Sequence, residues 1–307
     1  MKKIIITGSS GFIGSLVLKF ISRAYLKAEI IALYNRNKPK FESGNISSVQ
    51  INLCNKDEYI KLPKDFDAII HLAGDKKTFL KRKESLNQFN DNITMTDLLA
   101  KHVNNSSCNT FIFSSSVYVY SGTKTLPFSE DNITIPDETL GTSKLACETL
   151  LKTYALNNCF NCLCLRLFTA YGPGSPNDQF IPIAIDRITK KDNIVKFGNP
   201  DILRDFVYVD NIANCVALSL DVMKNKKLGF FDVVNVATGV STKIRDVVDL
   251  IVSVVGSNKK IIYDNKLLSK KGDSDHVVNI DKLKSMFGWV PDVKLKTGIE
   301  NILKGIN

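Results

Sequence analysis

The sequence predicts an α/β protein in which a doubly wound parallel sheet is joined to a second, smaller α/β domain. Two observations lead to this prediction. Short apolar runs alternate along the chain with stretches whose apolar residues recur at helical spacing, as in parallel sheets with helical connections. The first apolar run, Ile4 to Ile6, leads into three glycines at intervals of three, Gly8, Gly11 and Gly14. A strand, a glycine-rich turn and a helix in this order indicate a Rossmann-type sheet.

The glycine-rich turn is chemically suited to a dinucleotide. A side chain at Gly8 or Gly11 would stand between backbone N–H groups and a pyrophosphate, and one at Gly14 would push the next helix off the strand. That helix, predicted over 12–26, offers unpaired N–H groups and the positive end of its dipole. The turn therefore predicts dinucleotide binding, with an incidental glycine-rich turn as the alternative.

The second strand is predicted at 29–33, and the residues after it bear on the choice of dinucleotide. A carboxylate there binds the adenine ribose hydroxyls of NAD, whereas a basic residue accommodates the 2′-phosphate of NADP. The sequence has Arg36 and Lys38 there, and no acid between 34 and 38. NADP(H) is therefore favoured over NAD(H), with simple loop charges as the alternative.

The strand–helix rhythm continues beyond the second strand. Strands are predicted at 49–53, 68–72, 110–114 and 162–168, and helices near 56–62, 87–104, 141–148, 280–287 and 295–304. His71 lies inside an apolar strand and is interpreted as a packed core residue rather than a base.

Composition narrows the class of protein. The chain has 307 residues, 44% of them apolar and 23% charged, which is ordinary for a globular protein. It has no apolar run of the about 18 to 20 residues that span a membrane and no signal-cleavage pattern, so we expect a cytoplasmic protein without a membrane partner. The net charge of +10 arises from scattered lysines without an aromatic platform, which favours anionic small molecules over nucleic acid.

The seven cysteines are interpreted as free thiols rather than as a metal site. Cys159, Cys162 and Cys164 are spaced closely enough to suggest a soft-metal site. Cys162 and Cys164 fall within CLCLRLF, a pattern typical of a buried strand, and no second cysteine pair or nearby histidine completes four ligands. No metal is therefore predicted.

Several motifs resemble those of one enzyme family. The turn TGSSGFIG at 7–14 is similar to the TGxxGFIG turn of the extended short-chain dehydrogenase/reductases, the NAD-dependent epimerase/dehydratase family that modifies nucleotide sugars. The resemblance continues through DAIIHLAG at 67–74, FSSSVYVY at 113–120, GTSKLACE at 141–148, RLFTAYGPG at 166–174, RDFVYVD at 204–210 and FGWVP at 287–291. It implies an NAD(P)-dependent enzyme that binds a nucleoside-diphosphate sugar and, as the family often does, forms a homodimer.

The resemblance assigns roles to residues at matching positions. The cofactor-binding positions are Gly8, Ser10, Gly11, Phe12, Ile13, Gly14, Arg36, Asn52, Leu53, Leu72, Ala73, Gly74, Asn92 and Lys144. The substrate-binding positions are Ser115, Ser116, Thr169, Arg204 and Lys270. Ser116 takes the place of the catalytic serine, Thr169 that of an asparagine and Lys270 that of an arginine. For Arg204, a structural ion pair with Asp205 is the alternative to a diphosphate contact.

The main departure from the family lies in its YxxxK pattern, in which the lysine lowers the pKa of a tyrosine that acts as acid and base. Lys144 is present here, and Leu140 occupies the tyrosine position. Leucine cannot exchange a proton, so either another group does this or redox turnover is impaired. The tyrosines at 118, 120, 154 and 171 are candidate replacements, with a packing role as the favoured alternative for each one individually. Glu148 is interpreted as a surface or packing carboxylate rather than a replacement base.

The resemblance also narrows the reaction. Val117 and Tyr118 stand where the family's 4,6-dehydratases carry an Asp–Glu pair, so dehydration is disfavoured. We expect a 4-ketoreductase or a 4-epimerase, and the basic residues after the second strand favour the reductase because net reduction consumes NADPH. The alternative is a catalytically impaired protein that binds NAD(P) or a nucleotide sugar without redox turnover.

The domain boundary is predicted where CLCLRLF gives way to a stretch rich in Gly and Pro. We expect an NAD(P)-binding domain at 1–168 and a smaller substrate-binding domain at 169–307. The segment of about 205–235 is expected to pack back on the large domain, with the ligand in the cleft between the domains.

Overall fold

The structure is a computed structural model that describes residues 1–76, 82–190, 193–264 and 274–305. Its strands are β1 (Lys3–Thr7), β2 (Glu29–Tyr34), β3 (Ile46–Gln50), β4 (Ala68–His71), β5 (Thr110–Ser116), β6 (Asn161–Leu167), β7 (Thr169–Tyr171), β8 (Ile194–Phe197), β9 (Leu203–Tyr208), β10 (Phe231–Val236), β11 (Ser241–Lys243) and β12 (Lys260–Tyr263). Its helices are α1 (Phe12–Ala24), α2 (Arg82–Asn104), α3 (Thr139–Leu156), α4 (Phe180–Thr189), α5 (Val209–Met223), α6 (Ile244–Val255), α7 (Asp281–Phe287) and α8 (Leu295–Lys304). Two short 3-10 helices are η1 (Lys56–Lys61) and η2 (Val117–Tyr120).

Within these ranges, seven strands form one parallel sheet in the order β3–β2–β1–β4–β5–β6–β10. The chain starts at β1 in the middle, runs outward to β3, and returns to β4 on the other side of β1. The strand order therefore reverses between β1 and β4, the point at which such sheets bind ligands. The predicted Rossmann-type, doubly wound α/β fold is confirmed.

The apolar strands pack against helices on both faces of this sheet. Ile4 and Ile6 of β1 belong to a buried cluster with residues of α1 and α5. Ile5 points the other way, into a second cluster with residues of α2 and α3. Because successive strand residues face opposite sides, an unbroken apolar run is what a strand covered on both faces requires.

The remaining strands form two small sheets, β11–β9–β7 and β12–β8. A third buried cluster joins them to α4, α6 and α8. Of the segment 205–235, α5 packs against α1 and β10 joins the main sheet beside β6, whereas β9 belongs to the small sheet. The division into domains at 168 and 169 stays a prediction.

Some predicted element boundaries were wrong. The strand predicted at 49–53 is β3 and ends at Gln50, because Asn52 forms a turn in which its Oδ1 accepts from Cys54 N (3.1 Å) and its own N–H donates to Glu58. Helix α2 begins at Arg82 rather than 87.

The described part of the chain contains no helix that is both long and apolar enough to cross a membrane. The seven cysteines are free thiols. Cys162 and Cys164 lie buried in β6, with their sulfur atoms 3.9 Å apart.

Candidate active site

The glycine-rich turn between β1 and α1 is tightly enclosed. Gly8 has φ of +65°, and a Cβ atom there would lie 2.7 Å from the backbone nitrogen of Ala73. A Cβ atom on Gly14 would lie 2.0 Å from the carbonyl oxygen of Gly8. Both glycines are therefore required for the close approach of turn, helix and β4, where only a hydrogen atom fits.

The N-terminus of α1 is chemically suited to a pyrophosphate. Gly11 is its N-cap residue, and among the described residues no side chain caps it and no acid occurs in its first turn. Its N–H groups and the positive end of its dipole are thus left for an external anion. Ser10, Phe12 and Ile13 form the exposed or partly exposed rim of this turn.

His71 connects the glycine-rich turn to α2 in a defined tautomer. Thr7 Oγ1 accepts hydrogen bonds from the N–H groups of Leu72 and Ala73 (3.1 and 3.0 Å), so its proton goes to His71 Nδ1 at 2.8 Å. Nε2 of His71 therefore carries the hydrogen and donates to Thr96 Oγ1 at 3.2 Å. Burial, and secondarily Lys144, lowers the pKa of His71 to about 3, so the ring is neutral and structural, as the sequence interpretation expected.

The end of β2 is tied to the glycine-rich turn. Ser9 Oγ donates to the carbonyl of Leu33 at 2.8 Å, which places the loop carrying Arg36 next to the turn. Arg36 itself is exposed. Asn52 is also exposed but its Oδ1 is occupied by Cys54 N–H, and Leu53 is buried in the core. Among the described residues no hydrogen bond engages the amide nitrogen of Asn52, which suits it to the predicted adenine contact.

Lys144 is the central group of the site. It is buried, its Nζ donates to the carbonyl of Ser114 at 2.7 Å, and it lies 4.7 Å from the centre of the Phe113 ring. A Cβ atom on Gly74 would come within 3.3 Å of this Nζ. Burial lowers the pKa of Lys144. An ammonium group held at the carboxyl ends of β4 and β5 faces the edge where parallel sheets bind ligands.

Asn92 braces the backbone next to this lysine. Its Oδ1 accepts from Asp75 N at 2.9 Å, while its Nδ2 donates to Asp75 O (3.1 Å) and to Ser143 Oγ (3.0 Å) on α3. The side chain therefore joins α2, α3 and the loop after β4. Sequence resemblance predicted Asn92 as a cofactor-binding residue, and the structure gives it a bracing position beside Gly74.

The three serines at the end of β5 point in different directions. Ser114 Oγ donates to His71 O at 3.1 Å, whereas Ser116 Oγ caps η2 by accepting from Tyr118 N at 3.3 Å. Ser115 is buried and donates to Glu148 Oε1 at 2.5 Å. The prediction of Ser115 as a substrate-binding residue is not supported by this arrangement, because strand alternation turns its hydroxyl into the core.

Glu148 is a packing carboxylate in a buried ion pair. Its two oxygens accept from Arg166 Nε at 3.0 Å and Nη2 at 2.7 Å. Arg166 also donates to the hydroxyl of Tyr120 at 2.5 Å. The pair therefore joins α3, β5, β6 and η2, and no single sequence motif contains both of its residues.

Leu140 lies buried in the first turn of α3, four residues before Lys144. Its neighbour Gly141 packs directly against η2, because a Cβ atom on Gly141 would lie 2.1 Å from the carbonyl oxygen of Tyr118. The backbone at the start of α3 is thus held against the segment that follows Ser116.

A second group of polar residues lies beyond Ser116, where η2 meets β9. The Tyr118 ring contacts the His276 ring edge-to-face at 6.1 Å between centroids, and the charges of Glu138 and Arg204 both act on its phenol. Arg204 Nη1 donates to the carbonyls of Leu203 and Ser274. His276 was not predicted from the sequence, because no motif marks it.

The hydrogen bonds of Asp205 do not support the alternative in which Arg204 forms a structural ion pair with it. Its Oδ1 accepts from both the N–H and the hydroxyl of Thr238 at 2.9 Å. Burial raises the pKa of Asp205 to about 6. Thr169 begins β7 and pairs with β9 opposite Phe206, so it lies in the same small sheet as Arg204. Lys270 lies outside the described residues.

Comparisons with known proteins agree with this architecture. Residues 4–237 match the model of the NAD dependent epimerase/dehydratase family. The chain is 28% identical over 310 residues to a Methanocaldococcus jannaschii protein with a provisional name of UDP-glucose 4-epimerase, covering 98% of this chain and 97% of that one. It is 24% identical over 316 residues to the dTDP-4-dehydro-6-deoxyglucose reductase of Escherichia coli, covering 99% and 97%.

Solved structures show the same fold. A UDP-glucose 4-epimerase from Thermotoga maritima with UDP-glucose has a TM-score of 0.86 at 23% identity, covering 99% of this chain and 98% of that chain. The RMD protein of Pseudomonas aeruginosa, complexed with NADPH, has a TM-score of 0.80 at 23% identity and covers 99% of each chain.

Proposed function

Because the chain belongs to the NAD dependent epimerase/dehydratase family, we propose that it is an enzyme that modifies a nucleoside-diphosphate sugar at a ring carbon with a nicotinamide dinucleotide. Relatives of nearly equal length are named as nucleotide-sugar 4-epimerases and as reductases of 4-keto sugars. The reaction proposed here is reduction of a 4-keto group or epimerisation at C4.

The position of Lys144 is the observation that carries this proposal. Its ammonium group lies buried beside Gly74 and at the ends of β4 and β5, on the same edge as the glycine-rich turn. A bound dinucleotide would supply or accept the hydride. Lys144 would hydrogen-bond the ribose next to the nicotinamide and stabilise negative charge that develops near it.

The glycine-rich turn and the substrate residues complete the proposed site. Gly8, Gly11 and Gly14 would hold the pyrophosphate at the N-terminus of α1. Ser116 would hydrogen-bond the sugar oxygen at C4, and Arg204 would bind the diphosphate of the nucleotide in a bidentate manner. Thr169 and Lys270 are proposed as weaker contacts to the same substrate.

We propose NADP(H) as the preferred dinucleotide. Arg36 is exposed in the loop after β2, and Ser9 joins the end of that strand to the glycine-rich turn. A guanidinium group there can pair with a 2′-phosphate, which NAD(H) lacks.

A second candidate function is binding without redox turnover. The observation that favours it is Leu140, which is buried at the position proposed for the family's tyrosine and cannot exchange a proton. In this case Ser116 and Lys144 would contribute to ligand affinity alone.

One experiment separates the two candidates. Purified protein is incubated with a panel of nucleoside-diphosphate sugars and their 4-keto derivatives, with NADPH and with NADH, and products are followed by NMR. We expect turnover that Lys144→Met abolishes and that Lys152→Met, an exposed lysine on the same helix, leaves intact. Dinucleotide binding by calorimetry without any product would instead establish the binding protein. If the protein shows neither dinucleotide binding nor turnover, both candidate functions are contradicted.

The remaining proposals concern the assembly and the setting. We propose a homodimer, a cytoplasmic location and no nucleic-acid partner, in a chain divided at residues 168 and 169 into dinucleotide and substrate domains. Light scattering of the purified protein measures its molar mass in solution and so tests the proposed homodimer directly.

A further inference from the structure

Leu140 cannot donate a proton, and four tyrosines are the candidates for that role. The hydroxyls of two of them are hydrogen-bonded elsewhere, and that of a third is buried without a partner. The hydroxyl of Tyr120 is bound by Arg166 at 2.5 Å and lies 3.1 Å from Asn235 Oδ1. The hydroxyl of Tyr154 donates to Asp97 at 3.4 Å, between α3 and α2. Tyr171 is enclosed by α8, where a Cβ atom on Gly298 would lie 2.3 Å from its hydroxyl oxygen.

Tyr118 differs from these three in its surroundings. Within the described residues no hydrogen bond engages its hydroxyl, which is also not among the buried polar atoms left without a partner, and the residue is half-buried. The backbone N–H of Tyr118 donates to Ser116 Oγ, and its ring contacts the ring of His276. The positive charge of Arg204 is close enough to act on the phenol of Tyr118. Gly141, next to Leu140, packs against the carbonyl oxygen of Tyr118, so this residue lies beside the start of α3 as well as beside Ser116.

We propose that Tyr118 is the general acid of this enzyme and takes over the role of the phenol that is absent at Leu140. This inference rests on the proposed function. In the reaction, C4 of the keto sugar accepts a hydride with its electron pair from the reduced dinucleotide, and the carbon–oxygen π bond breaks. The phenolic proton of Tyr118 passes to the resulting oxygen, and the phenolate regains a proton from water. The sugar is reduced and the dinucleotide is oxidised.

The surroundings of Tyr118 favour proton donation over proton removal. Burial and the neighbouring carboxylate of Glu138 raise the pKa of Tyr118, and Arg204 opposes this only in part. A phenol that stays protonated can give its proton to a newly formed alkoxide, which is the stronger base. It cannot readily start the reverse reaction by removing a proton from a sugar hydroxyl.

The test compares Tyr118→Phe with Tyr154→Phe, the same chemical change at a tyrosine outside the site. We expect Tyr118→Phe to lower kcat for 4-keto reduction by on the order of 10² to 10⁴-fold, with KM changed by a few-fold at most. Tyr154→Phe should match the wild type. Adding Leu140→Tyr to Tyr118→Phe should restore part of the rate, because a phenol then lies near Lys144 again.

A second measurement does not depend on the folding of the phenylalanine variant. Fluorotyrosine placed at position 118 has a more acidic phenol, so the fall of kcat at alkaline pH should move to lower pH, whereas fluorotyrosine at position 154 should not move it. Carbon-13 NMR of the labelled Tyr118 ring carbon should show the same shift in its titration without any turnover.

The outcomes are distinct. If the wild type reduces a 4-keto sugar and both Tyr118→Phe and the fluorotyrosine protein keep its rate and pH profile, Tyr118 is not the acid, although the proposed function stands. If the wild type turns over nothing on the panel, the proposed function fails and this inference fails with it.

Discussion

At the scale of single residues, the site depends on positions where backbone segments nearly touch. Gly141 is such a position, because a Cβ atom there would lie 2.1 Å from the carbonyl oxygen of Tyr118. Carbonyl oxygens of the main chain cannot turn aside as a flexible side chain can. The contact therefore fixes the start of α3, with Leu140, against the segment that carries Ser116 and Tyr118.

We expect Gly141→Ala to destabilise the protein. Alanine gains roughly 1 kcal/mol over glycine in helix propensity, but overpacking against a fixed backbone costs about 1 to 3 kcal/mol, and here it displaces η2 as well. Urea unfolding should show a lower midpoint at an unchanged slope. Gly44→Ala, where a Cβ atom would meet nothing within 4 Å, is the control and should stay within about 0.5 kcal/mol. Equal midpoints for the two variants would contradict this account of Gly141.

A second residue-scale prediction concerns Arg36. Arg36→Ala should weaken NADPH binding about tenfold and leave NADH binding unchanged, because a charge-assisted pair with the 2′-phosphate contributes about 1.5 kcal/mol at an exposed site. Lys38→Ala is the control, since Lys38 already pairs with Glu42 at 3.2 Å. Calorimetric titration with both dinucleotides measures the ratio, and an unaltered ratio in Arg36→Ala would rule out this role.

At the scale of secondary-structure elements, the buried pair of Glu148 and Arg166 joins α3 to β6 of the main sheet, in addition to the apolar contacts of that helix. Both side chains are about 5% exposed, and two hydrogen bonds of 3.0 and 2.7 Å connect them. Glu148 also accepts from Ser115 on β5, one residue before Ser116. Lys144 lies one turn before Glu148 on α3, and its position is therefore coupled to β5, the strand that ends in three serines.

Removing one partner of this pair should be costly. Glu148→Gln leaves the Arg166 guanidinium buried without a countercharge, and such losses typically destabilise by about 3 to 5 kcal/mol. The matched control is Asp186→Asn in the exposed pair with Lys190, where about 0.5 kcal/mol is expected. The double variant Glu148→Gln/Arg166→Met should recover part of the stability, since the unpaired charge is gone. Chemical denaturation measures all three, and an effect of Glu148→Gln no larger than the control would refute the coupling.

At the scale of the whole molecule, the three histidines make folding sensitive to acid. Burial lowers the pKa of His71 and of His276 to about 3, and burial also lowers the pKa of half-buried His102. In the unfolded chain these rings bind protons below the ordinary histidine pKa of about 6.5, whereas in the folded protein the rings stay neutral. Stability contributed by this difference is complete above pH 6.5 and is lost as the pH falls toward 3.

The magnitude follows from proton linkage. Each of His71 and His276 lowers the free energy of unfolding by up to about 1.4 kcal/mol per pH unit below pH 6. Asp205 opposes them, because its pKa of about 6 lets the folded state bind a proton that the unfolded state releases down to about pH 4. We therefore expect the free energy of unfolding to decline between pH 6 and 4 by less than the two histidines alone would give, and more steeply between about pH 4 and 3. Urea midpoints at a series of pH values measure it.

The variant that isolates one histidine is His71→Gln. It should flatten this decline, even if it lowers stability at neutral pH by breaking the contacts to Thr7 and Thr96. Proton NMR of the ring signals provides an independent check, since His71 and His276 should not titrate above pH 5. A ring that titrates near 6.5 in the folded protein would contradict the argument.

The sequence by itself determined the parallel sheet and the glycine-rich turn at the edge where such sheets bind ligands. The apolar run of β1, the glycines after it and the alternation of strands and helices are local patterns, and each one limits the backbone on its own. The neutral, structural role of His71 also followed from its place in an apolar strand. The boundaries of the elements were not determined in this way. The apolar residues alone would continue β3, but the turn formed by Asn52 ends this strand.

Only the tertiary structure decided which polar groups share a space. Ser115 could be a ligand residue by sequence, but its hydroxyl turns toward Glu148, which lies 33 residues away in the chain. By sequence Tyr118 is one of four candidate proton donors, and only the fold brings His276 from a distant segment against its ring. Sequence patterns record the period and the chemistry of a segment. The meeting of side chains from separate segments depends on strand order and on the packing of helices across the sheet, which no local pattern contains.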